Sequence, residues 1–132
     1  MVAHLPPRQP LHFTVEGKIV PKGRPRFSRG HTYTPERTVN YEGYMQWSLK
    51  SLRPVKYMGA ISIELTAYFK VPKGKEYLIQ FPCLKRPDLD NIIKCLDAYN
   101  GILWEDDSQI VHIEASKKWG ITERLEITVN YL

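Results

Sequence analysis

The sequence is poor in the residues from which zinc sites and disulfide frameworks are built. Its 132 residues include only two cysteines, Cys83 and Cys95, which form neither a C-x-x-C pair nor a zinc-binding spacing. The four histidines are scattered and show no metal-ligand spacing. These shortages argue against a structural zinc and predict reduced cysteines with a packing role, as expected for a cytoplasmic protein.

Several functional signatures are absent as well. No run of about 18 apolar residues is present to span a bilayer, and the first residues lack the apolar core of a signal peptide. Phosphate-cradling glycine loops and the G-x-S-x-G elbow are missing. An EF-hand reading from Asp88 fails because Ile93 stands where glycine is needed and Tyr99 where glutamate is needed. We therefore expect a soluble, intracellular protein with no membrane partner, and neither a nucleotide motor nor a triad hydrolase.

The length and composition fit one domain. With 42% hydrophobic residues the chain can bury a core of its own. The first ten residues contain three prolines and predict a flexible tail, residues 1–10, before a single domain at 11–132. The predicted class is α+β, with two helices packed on a small mixed β-sheet in the order β-α-β-α-β-β.

Hydrophobic periodicity places these elements. Alternation predicts a first strand around Phe13 and Val15, and a second from Ile61 to Phe69. Thr34 and Pro35 predict the start of a helix that runs to about Leu52, with Thr34 as its cap. A short helix follows, with Ile92, Ile93, Leu96 and Tyr99 on one face and Gly101 as terminator. Two final strands, around 111–115 and 125–131, predict an antiparallel pair joined through Gly120.

The distribution of charge is uneven. The chain carries a formal net charge of +5, yet residues 88 to 107 hold six of its fourteen acidic residues. Carboxylates repel one another unless a positive group holds them together. A hard divalent cation such as Mg²⁺, bound by carboxylate oxygens, accounts for this crowding.

The spacing of the acids sets a geometric condition. Asp88 and Asp90 can share one ion only where the chain is extended or entering a helix, because residues two apart on a helix diverge. A step of four residues puts Lys94 on the helix face of Asp90. Asp106 and Asp107 lie beyond Gly101, so folding must bring them back to the helix entrance. The simpler alternative is that the first two acids cap a helix and the last two form a polar turn.

The basic residues point to a polyanion. Lys22, Arg24, Arg26 and Arg29 form an irregular loop interleaved with Phe27, His31 and Tyr33, and Lys85 and Arg86 precede the acids. This mixture suits phosphate contacts and base stacking, although a solvated basic surface is the alternative. A polyanion-binding surface beside a carboxylate cluster indicates a metal-dependent nuclease.

The motifs resemble one family. Residues 86–94 read RPDLDNIIK, followed by DAYNG at 97–101 and DDSQI at 106–110, and PKGRPRF stands upstream at 21–27. Together they are similar to the signature of the RusA-type Holliday junction resolvases, over nearly the whole chain from about Leu11. One departure is that the Asp97-Ala98 pair follows Lys94 one residue earlier than in the family pattern, which leaves the role of Asp97 open.

The resemblance implies a small homodimeric endodeoxyribonuclease that binds four-way DNA junctions and makes paired symmetric nicks in DNA recombination and repair. Members are often encoded by phages or prophages, so a bacterial or phage-infected cytoplasm is expected. The implied cofactor is Mg²⁺, with Mn²⁺ as a substitute. Carried over to this sequence, the metal-binding acids are Asp88, Asp90 and Asp107, the catalytic lysine is Lys94, and Asn91 and Asp106 are supporting residues. The DNA-binding residues expected from the basic segments are Lys22, Arg24, Arg26, Arg29, Lys85 and Arg86.

Two other functions remain open at the level of sequence. One is a DNA-binding protein that does not cleave, in which the acids form only a capped turn. The other keeps the metal-dependent chemistry but acts on flaps, single strands or small nucleotides. Metal dependence separates the first alternative from a nuclease, and a panel of DNA substrates separates the second.

Overall fold

A computed structural model describes residues 8–132, so most of the predicted tail lies outside the described residues. The fold is α+β, as predicted, with a mixed four-stranded sheet and a separate two-stranded sheet. The strands are β1 (Leu11–Glu16), β2 (Arg26–Ser28), β3 (His31–Tyr33), β4 (Ile61–Lys70), β5 (Ile110–Gly120) and β6 (Arg124–Tyr131). The helices are α1 (Glu36–Trp47) and α2 (Leu89–Ile93), and 3-10 turns cover Lys50–Leu52, Glu76–Leu78, Lys94–Tyr99 and Asp107–Gln109.

The order of strands in the main sheet is β1-β6-β4-β5. Strands β4 and β5 are parallel, and the connection between them passes through α2. The expected pairing of the last two strands is wrong, because β4 lies between β5 and β6. Every second residue of β4 from Ile61 to Phe69 is buried, whereas Gly120 is the one buried residue of β5, so β4 takes a central position and β5 an edge.

The core lies on one face of the main sheet. Alternate residues of β1, β4 and β6 point inward, and the two helical segments cover them. Tyr99 links the helical layer to the sheet. Its ring packs edge-on against the rings of Phe13 and Trp104, with ring centroids 5.5 Å and 6.0 Å apart. The two cysteines are free and buried, which agrees with their predicted packing role. Within residues 8–132, no helix is long and apolar enough to cross a membrane.

Helix α1 differs from its prediction at both ends. It begins at Glu36, and Pro35 occupies the N-cap with no side-chain cap, so Thr34 does not cap it. It ends at Trp47, and the chain continues through a turn into the 3-10 segment that ends at Leu52. Its buried residues are Thr38, Tyr41 and Met45, one stripe of an amphipathic helix.

The basic segment also differs from its prediction. Residues 26–33 form a β-hairpin, not an irregular loop, with Arg26 opposite Tyr33 and Ser28 opposite His31. Arg29 and Gly30 both have positive φ, the conformation of a tight type I′ turn. The hairpin presents Phe27 to solvent with 75% of its surface exposed.

Candidate functional site

An open cleft of about 400 Å³ lies at the entrance of α2. The predicted site residues that line it are Lys85, Arg86, Asp88 and Asn91. Two further basic residues, Lys18 and Arg37, line it as well, and sequence analysis did not select them. They come from segments distant in sequence from the acidic motif, so only the fold brings their charges to Asp88.

Asp88 stands at the N-cap of α2 in an extended conformation. Its backbone carbonyl accepts hydrogen bonds from the N–H groups of Asn91 and Ile92, but its carboxylate makes no side-chain cap. Asp90 follows in the first helical turn, and both side chains are exposed. The extended residue before the helix meets the condition under which Asp88 and Asp90 can point to one ion.

Lys94 is the C-cap of α2 and the first residue of the following 3-10 segment. Its side chain is exposed, and within residues 8–132 no carboxylate lies within ion-pair distance of it. Its ammonium is therefore available to a phosphate. Asn91 has a structural contact in addition, because its backbone carbonyl accepts a 3.3 Å hydrogen bond from the N–H of Lys22.

Asp106 and Asp107 lie in the turn before β5. Asp106 is a cap: its carboxylate accepts a 3.0 Å hydrogen bond from the N–H of Ser108. Hydrogen bonds from Ser108, and to a lesser extent from Asp107, hold the pKa of the Asp106 carboxyl below its usual value. Asp107 is the first residue of the 3-10 turn and is exposed.

Gln109 anchors this turn, and sequence analysis did not identify it. Its side-chain NH₂ donates to the carbonyls of Tyr57 (2.8 Å) and Gly59 (2.9 Å). Its side-chain oxygen accepts from the N–H groups of Glu105 (2.7 Å) and Asp106 (3.1 Å). The amide therefore fixes the backbone that carries Asp107. The capping box around Asp106 was the available signal.

The two acidic groups lie toward opposite ends of the main sheet. Asp88 shares its cleft with Phe69, near the carboxyl end of β4. Asp107 precedes β5, whose first residue Ile110 pairs with Ile61, the first residue of β4. The two ends of β4 are about 30 Å apart at the usual rise of a strand. Folding of one chain does not bring the two acidic groups back together.

The donors are chemically suitable for Mg²⁺, since exposed carboxylates are the ligands this ion prefers. Their placement within one chain is not suitable. Among residues 8–132, no group of three His, Cys, Asp or Glu side chains is close enough to hold a metal. A site built from Asp88, Asp90 and Asp107 therefore does not form within a single chain as described.

The predicted DNA-binding residues divide into two kinds. Arg24, Arg26 and Arg29 are exposed on or beside the hairpin. Lys22 is half-buried, and its ammonium pairs with Asp97 at 2.9 Å and with Glu42 at 3.7 Å. Its charge is therefore largely neutralised within the protein. This ion pair also gives Asp97, whose role the motif left open, a structural contact.

The Lys22 ammonium is held in its charged form. Burial lowers the pKa of Lys22, but the hydrogen bond to Asp97 and the charges of Asp97 and Glu42 together outweigh burial and raise the pKa overall. Lys22 therefore keeps its proton and its partners at physiological pH.

The comparisons with known proteins agree with the motif. The model of the endodeoxyribonuclease RusA family matches residues 16–130. The chain also aligns with protein YqaN of Bacillus subtilis (strain 168), described as uncharacterized, with 29% identity over 134 residues that cover 90% of this chain and 94% of that protein. The chain belongs to the RusA endodeoxyribonuclease family.

Proposed function

We propose that this protein is a structure-selective endodeoxyribonuclease that resolves four-way DNA junctions by paired symmetric nicks. The observation that carries the proposal is the cleft, whose lining brings the motif residue Asp88 together with four basic residues and one further acid, Glu123. The basic residues are Lys18, Arg37, Lys85 and Arg86. Such a cleft draws in a phosphate backbone and holds it beside a carboxylate.

The exposed side chains have different roles in this proposal. The arginines beside and on the hairpin contact phosphates, and Phe27 at the hairpin can stack on an unpaired base at the branch point. The Lys94 ammonium stabilises negative charge on the phosphate undergoing cleavage. The metal in this proposal is Mg²⁺, with Mn²⁺ as a substitute, and the residues that would hold it are Asp88, Asp90 and Asp107.

Paired nicking also requires two active sites. The family resemblance and the symmetry of the product support a C₂ homodimer, since a two-fold protein presents two identical sites to a substrate with matching symmetry. The proposed setting is recombination and repair in a bacterial or phage-infected cell.

The test is a cleavage assay with a labelled mobile four-way junction, with and without Mg²⁺, and the products resolved by strand. Symmetric nicked duplexes that form only with metal are the expected result. Binding without cleavage in Mg²⁺ or Mn²⁺ would identify a non-catalytic DNA-binding protein. Preferential cleavage of flaps or single strands in the same panel would keep the chemistry and change the substrate.

A further inference from the structure

The outer side of α1 carries two exposed aromatic rings. The rings of Tyr44 and Trp47 stack on each other, with centroids 5.9 Å apart and an angle of 18° between their planes. Tyr44 is 39% exposed and Trp47 is 64% exposed. The contacts of α1 with the core are made by other residues, which are Thr38, Tyr41 and Met45. The aromatic pair is therefore not needed for the core, and exposed rings of this kind mark a binding surface.

The aromatic pair lies on a path that begins at the cleft. Arg37 lines the cleft near the first turn of α1. Seven and eleven residues are close to two and three full turns of an α-helix, so Tyr44 and Ser48 lie on the same side of the helix as Arg37. Trp47 is ten residues beyond Arg37, about 15 Å along the helix axis. A strand that leaves the cleft along this side of α1 reaches the aromatic pair within that distance.

The charges along this path suit a polyanion. The two acids of α1 lie elsewhere, since Glu36 is its first residue and Glu42 faces the ammonium of Lys22 at 3.7 Å. Residues 43–63 include no acid. Lys50 is exposed, and within residues 8–132 no carboxylate lies within ion-pair distance of it. Phosphates can therefore follow the path without repulsion and meet a free cation at its far end.

A small open cavity of about 280 Å³ lies beside the aromatic pair. Its lining residues are Trp47, Ser48, Lys50 and Ser51. The Ser48 hydroxyl donates to the carbonyl of Tyr44 (3.0 Å), which leaves its oxygen as an acceptor and the Ser51 hydroxyl as a donor. An aromatic ring, hydroxyl groups and a cation are the parts from which sites for unpaired nucleotides are built.

We propose that this side of α1 binds an unpaired DNA strand that leaves the cleft, with phosphates at Arg37 and Lys50 and a base stacked on Trp47. Inside a duplex each base already lies between its neighbours, so a ring outside the cleft finds a free base only on an unpaired strand. The proposal rests on the proposed function and adds a substrate feature to it. Branched DNA in which one arm is single-stranded gains contacts that a fully paired junction does not make.

Bases and phosphates can be separated in a binding assay that needs no cleavage. The probe is a labelled junction in which one arm is a single strand of about ten thymidines, in either polarity, beginning at the branch point. Its comparison has abasic sites in place of the thymidines and keeps the same phosphates. Fluorescence anisotropy in EDTA gives both affinities.

Trp47→Ala should bind the thymidine probe at least about fivefold more weakly than wild type, because it loses the stacking of one base. It should bind the abasic probe as wild type does. Tyr77→Ala is the matched control, since Tyr77 is an aromatic residue that is 70% exposed on another segment, and it should bind both probes normally. Equal weakening on both probes would refute the stacking, and no weakening would leave a protein as the occupant of the aromatic pair.

Trp47→Phe tests the same contact by fluorescence and covers the case in which Trp47→Ala does not fold. A phenyl ring can still stack on a base, but the indole whose emission the base quenches is gone. Trp104 is fully buried and should not respond. The thymidine probe should quench the wild-type protein, and most of this quenching should disappear in Trp47→Phe while binding persists. Equal quenching of the two proteins overturns the proposal.

The phosphate contact at the end of the path is tested through the salt dependence. Lys50→Gln should reduce the slope of log Kobs against log salt by about 0.7 on the thymidine probe and leave the slope on a fully paired junction unchanged. Lys56→Gln removes the same charge from the same segment, but Lys56 is paired with Glu105, so its slope should not change. An unchanged slope for Lys50→Gln, or the same change on the paired junction, overturns the proposed path. Failure of the wild-type protein to cleave any junction in Mg²⁺ would refute the proposed function, and these measurements in EDTA would still decide the path.

Discussion

The salt dependence of junction binding should separate Lys22 from the hairpin arginines, although the sequence presents them as one basic segment. Lys22 is half-buried and already paired with Asp97 and Glu42. Arg26 is exposed at the start of β2. Binding of DNA releases counterions only where a protein cation neutralises a phosphate, so Arg26→Gln should reduce the salt dependence and Lys22→Gln should not.

The magnitude follows from counterion release. Each lost phosphate contact reduces the slope of log Kobs against log salt by about 0.9. Between 50 and 200 mM salt this corresponds to a loss of affinity that is about 3.5-fold smaller for Arg26→Gln than for wild type. The effect should be the same for every junction sequence, because phosphate contacts carry no sequence information.

The assay is fluorescence anisotropy of a labelled four-way junction in EDTA, titrated at four or more salt concentrations. Lys22→Gln is the matched comparison, since it removes the same charge from the same segment. An equal decrease of slope in both variants would refute the assignment of Lys22 to an internal ion pair. An unchanged slope for Arg26→Gln would remove the hairpin from the DNA interface.

The other predictions concern the acids, the turn and a buried thiol. Lys94→Ala should lose most of its cleavage activity and still bind the junction in a gel-shift assay. The same result is expected for the Asn variants of Asp88, Asp90 and Asp107. Cleavage at a near wild-type rate by any of these variants would remove that residue from the site. Gln109→Ala should reduce the free energy of unfolding in urea by about 2 kcal/mol, because four partly exposed hydrogen bonds to the backbone are lost; an unchanged midpoint would contradict the anchoring role. Burial raises the pKa of the Cys95 thiol to about 11, so its thiolate is about one part in a thousand at pH 8, and mass spectrometry should find it unmodified by iodoacetamide until the protein is unfolded.

Prediction from the sequence worked best for elements in which the spacing of apolar residues matches the pattern of buried residues. In β4 every second residue from Ile61 to Phe69 is apolar and buried, so alternation identified the strand within one residue of its end. The β2–β3 hairpin was missed because its three-residue strands are exposed on both faces and carry no apolar alternation. Its signal was the Arg29-Gly30 turn, which is weak without flanking hydrophobic residues.

The order of the strands within the sheet was harder to predict from the sequence than their positions along the chain. Two strands separated by a short turn usually pair, and the short turn at Gly120 therefore led to the prediction that β5 pairs with β6. The fold places β4 between them instead, because its residues need burial that an edge position does not give. Lys117 and His112 show the opposite character within β5, and polar residues on both faces mark an edge strand. The alternation of apolar residues 111, 113 and 115 had concealed this.

The acidic motif identified residues but not their arrangement. Local spacing correctly placed Asp88 at the start of a helix, and the polar turn considered at Asp106 is present, with Asp106 as its cap. Of the two structural alternatives considered from sequence, the polar turn applies, since Asp106 caps it, whereas the Asp88 carboxylate caps no helix. The distance between the two groups depends on which end of the sheet each segment reaches, and one sequence carries no direct measure of that.

Three contacts hold the basic segment against the helical segment that follows Asp88. The N–H of Lys22 donates to the carbonyl of Asn91, the Cys95 thiol donates to the carbonyl of Val20 (3.2 Å), and the Lys22 ammonium pairs with Asp97. All three contacts connect residues 20–22, which lead to the hairpin, with the helical segment that begins at Leu89. In the proposed function, these contacts fix the position of a phosphate backbone at the hairpin relative to Asp88, so we expect Lys22 to act through alignment and not through its own contact with DNA. The ion pair with Lys22 gives Asp97, an acid of the motif, a structural role, because it ties the segment that leads to the hairpin to the segment that follows α2.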